Sequence, residues 1–169
     1  MVFDFGQFTS ISDIDSALSG VELMDGDCNV EEALYKCGSA LFTDDAKGRQ
    51  RVLIFITAGV LKGDFSNAAA VLKTTGVKII AVGIGASVDN SQLSTIASPA
   101  SSVLNVVSYT DLTDITDGVC KIVPKGIRNE KIQIPYPVLI FVTNSHLFPN
   151  LMNQLSLSQT VIDSCVFNF

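Results

Sequence analysis

Short runs without polar alternation recur along the chain, and between them apolar residues return every three or four positions. Residues 52–56, 77–85 and 103–109 are runs of the first kind. Each predicts a buried β-strand, because a strand covered on both faces has no solvent side to mark with polar residues. The second kind begins at Ser10, where Ile11, Ile14, Leu18 and Val21 share one helical face and Ser10 with Asp13 has the form of a capping box. Residues 24–29 are turn chemistry, and a second helix is expected over 30–42, with Val30, Leu34, Cys37 and Leu41 inward.

The solvated stretch 43–50 leads into the first strand. After it, Ser66 is expected to cap an alanine-rich helix that Gly76 stops. Asp89 opens a short helix through Gln92, Leu93 and Ile96, and a last helix after Thr110 turns Leu112, Ile115, Val119 and Ile122 inward. Strands that alternate with helices of this length specify βαβ units. The expected fold is α/β, a doubly wound and mostly parallel sheet with helices on both faces, over residues 1–123.

The rhythm breaks at 124–137, a segment with three prolines that reads as a linker or a meandering edge. Residues 138–169 then form an extension that opens with Val-Leu-Ile-Phe-Val-Thr, an echo of Val-Leu-Ile-Phe-Ile-Thr at 52–57. Three readings stand for it: the start of a second domain, a permuted strand and helix that complete the first domain, or an unrelated extension. Stability favours the permuted strand, since an unfilled sheet exposes unpaired backbone.

Composition narrows the function. The chain is 47% apolar and 17% charged, enough to bury a core, and its net charge of −6 offers no basic face to a nucleic acid. No run approaches the roughly 20 apolar residues of a membrane span, and no basic segment followed by an apolar run marks a signal peptide. Four cysteines (Cys28, Cys37, Cys120, Cys165) form no CxxC pair, and a single histidine accompanies them, so zinc is not expected. Their disulfide state stays open, with Cys37 read as a buried free thiol.

Catalytic motifs are lacking. The Gly-x-Gly within Val82 to Val88 lacks its third glycine, and Asp89 would repel a pyrophosphate, so it reads as a strand end with small residues for close packing. His146 has no nucleophile elbow to serve. No enzyme activity and no cofactor are expected.

Taken in order, these elements resemble the von Willebrand factor A (VWA) domain from about Phe3 to Val123. The strongest part is "RVLIFITAGVLKGDFSNAAAVLKTTGVKIIAVGIGA", where the family has a strand ending in Thr-Asp-Gly, a helix, and a strand ending in Val-Gly-Val-Gly or similar. "SQLSTIAS", a strand, and "YTDLTDITDGVCKIV" match the family's closing elements. The resemblance implies a metal-ion-dependent adhesion site at the C-terminal ends of the strands. There a DxSxS motif after the first strand, a loop threonine and the aspartate of Thr-Asp-Gly hold Mg²⁺ for an acidic group of a partner.

This chain departs at each point. The matching region has no DxSxS, the chain beginning after the strand that should carry it; Cys28 stands at the threonine position and Ala58 at the aspartate. A methyl group supplies no ligand, and a thiol is too soft for Mg²⁺. Asp25, Asp27 and Asp64 are weak cation candidates, more ordinarily solvated loop residues. In the tail, Thr143, Ser145 and Leu147 fall at the DxSxS positions and only Ser145 fits.

The resemblance therefore implies a non-enzymatic, metal-independent interaction domain of adhesion or extracellular-matrix type, collagen- or matrilin-like. It would be part of a larger secreted protein, with a matrix or cell-surface protein as partner. An intracellular VWA-like scaffold subunit, a Rossmann-like enzyme with an unrecognised site, and a degenerate product that does not fold alone are the alternatives. Oligomeric state is open.

Overall fold

The structure is a computed structural model that describes Asp13, Ser16 and residues 29–41, 51–113, 138–142 and 164–168. Three helices, α1 (Val30–Lys36), α2 (Ser66–Thr74) and α3 (Asn90–Ile96), accompany five strands, β1 (Val52–Thr57), β2 (Lys78–Ile84), β3 (Val103–Val106), β4 (Val138–Val142) and β5 (Ser164–Asn168). The strands form one sheet in the order β3-β2-β1-β4-β5, and every neighbouring pair is parallel. The α/β expectation of a parallel sheet with helices holds for this body, and the three helices described in it lie on one face of the sheet. The first expected helix lies outside the described residues apart from Asp13 and Ser16, which are helical.

All six residues of β1 are buried. Leu53 and Phe55 face the same side as Ile79 and Ala81 of β2, and this side carries all three helices, through Val30, Ala33 and Leu34 of α1, Ala68, Ala69 and Leu72 of α2, and Leu93 and Ile96 of α3. Val52, Ile54, Ile56, Ile80, Val82 and Ile84 point to the other side and are buried as well. Burying one such side chain is worth roughly 1.5–3 kcal/mol. The exposed Glu32–Lys36 ion pair at 2.9 Å contributes about 0.3–0.5 kcal/mol, so the apolar faces, not the surface charges, hold α1 in place.

Local chemistry sets where each helix starts and stops. Asn29 caps α1 by accepting from the Glu32 amide at 3.0 Å, while its own side-chain nitrogen reaches Glu32 at 3.5 Å. Beyond Lys36 the α-helix gives way to a π-turn over Cys37–Leu41, a change of pitch within the expected single helix over 30–42. Cys37 is buried and free, as expected, and burial pushes its thiol up to about 12. The expected cap at Ser66 is corrected: Phe65 holds the cap position without a side-chain bond, and the Asp64 carboxylate accepts from the Ser66 amide at 3.0 Å.

Gly76 ends α2 at a φ of +81°, donating to the Lys73 carbonyl at 3.0 Å, and the Arg51 guanidinium donates to the neighbouring Thr75 carbonyl. A cation at this end also suits the helix dipole. Asp89 caps α3 as expected, accepting from the Ser91 amide at 2.8 Å. The third strand is shorter than expected: it ends at Val106, Val107 beyond it is 86% exposed, and the chain turns at Ser108 into a 3-10 turn over Tyr109–Thr113. The remainder of the expected last helix, Ile115, Val119 and Ile122, lies outside the described residues, as does the segment 124–137.

The reading of Gly83 as a close-packing position holds. A Cβ there would lie 2.6 Å from Asn105 Oδ1, 2.8 Å from Val88 Cγ1 and 2.9 Å from Leu93 Cδ1. Gly59 has nothing within 4 Å of the same position and no positive φ. In urea denaturation, Gly83→Ala is expected to cost about 1–3 kcal/mol through forced repacking, and Gly59→Ala to stay within about 0.5 kcal/mol of the parent.

Candidate functional site

Parallel strands bring all their C-terminal ends to one edge, where open α/β sheets bind ligands. Thr57 of β1 lies opposite Gly83 of β2, Ile84 opposite Val106 of β3, and Ile56 opposite Val142 of β4, so the loops after β1, β2 and β3 open side by side.

The loop after β1 is built from two buried ends and an exposed middle. Thr57 is buried, and its hydroxyl donates to the Gly59 carbonyl at 3.2 Å and accepts from the Gly59 amide at 3.4 Å. Leu61 and Phe65 are buried in the core, while Val60 between them and the edge is 65% exposed. The side-chain amide of Gln92 clamps the loop at Leu61: its Oε1 accepts from the Leu61 amide at 2.8 Å and its Nε2 donates to the Leu61 carbonyl at 2.9 Å. Gln92 thus presents to the loop the donor and acceptor that a neighbouring strand would offer. It sits in the first turn of α3, so the helix that packs on β2 also fixes the loop of β1.

Each acidic side chain described at this edge serves the backbone beside it. Asp64 accepts from Ser66, and its carboxyl is held below the ordinary aspartate value by that amide and hydroxyl. The Ser91 hydroxyl at 2.6 Å and its amide do the same for Asp89. Asp111 accepts from the Ser108 amide and hydroxyl, both at 2.9 Å. Asp64 and Asp89 are therefore ionised at neutral pH, each with its Oδ1 engaged by a neighbouring serine.

The donor set at the β1 loop does not fit a Mg²⁺ ion. Ala58 is half-buried and carries no oxygen on its side chain, and the neighbouring Thr57 hydroxyl is turned onto Gly59. Among the described residues no three His, Cys, Asp or Glu side chains come together as cation donors. Of the cation candidates, Asp64 is placed at the edge as above, whereas Asp25, Asp27 and Cys28 lie outside the described residues. Thr143, Ser145, His146 and Leu147 lie outside them too.

Gln92 was not singled out as a site residue from the sequence. Its partner is 31 positions away, and no local pattern marks such a pair.

A family model described as the von Willebrand factor type A domain matches residues 1–118. A search of curated proteins finds no match to the chain. The family match covers more than half of the 169 residues and includes the strand, loop and helix that build the edge described above, so the chain belongs to the von Willebrand factor type A domain family.

Proposed function

We propose that this chain is a non-enzymatic interaction domain of adhesion or matrix type, which binds a protein partner through its strand-end loops without a bridging metal. VWA domains generally bind proteins, so the proposal concerns the kind of partner and the means of contact. The observation that carries it is the loop after β1. It is anchored by Thr57, Leu61, Phe65 and Gln92, offers a methyl group at Ala58, and turns Val60 outward. A loop held this way is ordered before a partner arrives, which lowers the entropy cost of binding. An exposed valine beside a half-buried alanine favours apolar and backbone contacts over ion bridging. The extracellular location is part of the same proposal, since the adhesion and matrix members that the chain resembles are secreted.

Isothermal titration of the folded chain with Mg²⁺ should show no saturable binding heat, and Ala58→Asp should behave the same. One restored carboxylate cannot supply the remaining hard donors that the ion needs. Micromolar Mg²⁺ binding by either protein contradicts the metal-free reading.

The Gln92 clamp yields a separate expectation. Gln92→Leu leaves the Leu61 amide and carbonyl without their partner, at a cost of about 1–3 kcal/mol, and amide hydrogen exchange across residues 58–64 should accelerate. Gln92→Glu keeps an acceptor for the Leu61 amide and loses the donor, so it should fall between parent and Gln92→Leu. Unchanged exchange in Gln92→Leu would show that the loop is held by its buried ends alone.

A further inference from the structure

Of the large apolar side chains that stay exposed among the described residues, the two most exposed stand at the same sheet edge: Val60 in the loop after β1, at 65%, and Val107 directly beyond β3, at 86%. Between them lies the end of β2, where Gly85 offers only backbone. Its φ of +82° strains any side chain, and a Cβ on it would lie 3.8 Å from the Val107 carbonyl oxygen. On the other flank, a Cβ on Gly59 would meet nothing within 4 Å. Two strand spacings, roughly 10 Å, separate the β1 and β3 ends across this low stretch, which is wide enough to seat one extended peptide segment.

The charges at this edge have one sign in excess. Asp64 precedes α2, Asp89 caps α3 and Asp111 lies in the turn after β3, while Lys62 is the one cation in these three loops. Asp64 and Asp89 hold their charge at neutral pH because their serine bonds favour the ionised form. The cations Arg51, Lys73 and Lys78 sit at the opposite end of the sheet: Arg51 and Lys73 donate to the Thr75 and Thr95 carbonyls, where α2 and α3 close, and Lys78 opens β2. A partner segment that carries cations is therefore drawn to the edge of Val60 and Val107, and one that carries carboxylates is repelled from it.

We propose that the stretch between Val60 and Val107 is a docking surface for a basic, apolar protein segment. An aliphatic or aromatic side chain of the partner sets against the two valines over Gly85, and lysine or arginine side chains on either side of it face Asp64, Asp89 and Asp111. The proposal rests on the metal-free contact proposed above and adds the sign of the partner's charge. A metal-bridged edge holds an acidic group, whereas this edge selects against one.

Nuclear magnetic resonance titration of the full chain with three synthetic peptides tests it; the peptides share a Leu-Phe centre and differ only in flanks of lysine, serine or glutamate. The lysine peptide should shift the amides of residues 58–60, 85–86 and 107–108, bind more tightly than the serine peptide and lose that advantage in high salt, and the glutamate peptide should leave those amides in place. Val60→Ser with Val107→Ser should weaken the lysine peptide about tenfold or more. Val71→Ser, at an exposed valine of α2, should change nothing. Asp64→Asn, Asp89→Asn and Asp111→Asn together keep an acceptor oxygen for each serine and should erase the preference for lysine. Equal binding of all three peptides at the edge overturns the charge selection and leaves the metal-free apolar contact standing. Lysine-peptide shifts centred on Val71 or Tyr35 overturn the site, and no shift with any peptide contradicts both readings.

Discussion

A strand that is apolar along its length and buried on both faces belongs in the interior of its sheet, and β1, apolar from Val52 to Ile56, is such a strand. Its six buried residues require cover on two faces and hydrogen-bonded neighbours on two edges. β2 fills one edge and β4 the other, and the side that carries Leu53 and Phe55 is roofed by α1, α2 and α3. The remaining features of the described structure are ways of meeting that demand. Gly76 turns α2 back so that β2 can run parallel to β1, and Gly83 lets Leu93 of α3 settle close to β2.

The same constraint creates the candidate edge. Because the described strands all run one way, the loops that follow β1, β2 and β3 share one end of the sheet, and they are kept short and well bonded by their own side chains. Asp64, Asp89 and Asp111 each serve a neighbouring serine, and Gln92 holds Leu61 from a separate helix. Membership of the VWA family fits a protein-binding role, and the metal-free contact proposed above rests on Ala58, whose side chain carries no oxygen.

Much of the fold was legible in the chain because its signals are local. The runs at 52–56 and 77–85 have no room for a solvent face, and Gly76 and Asp89 stand where a helix needs a left-handed residue and an acceptor. Other features were missed although their signal was present: Asn29 and Glu32 have the spacing of a reciprocal cap, and they were read only as turn chemistry and helix. The shift of the second cap from Ser66 to Phe65, with Asp64 accepting from the Ser66 amide, follows from geometry that spacing alone does not encode. Long-range pairs were out of reach. Nothing local says that Gln92 meets Leu61, or which of three roles the strand at 138–142 takes, because both depend on how separated elements pack.

The central claim is that β1 is an interior strand completed by β4, and amide hydrogen exchange of the native chain read residue by residue tests it most directly. The expected result is that the amides of residues 138–142 that bond into the ladder exchange as slowly as those of 52–57, opening only with the whole sheet. Rapid exchange at 138–142 alongside protected amides at 52–57 would contradict it.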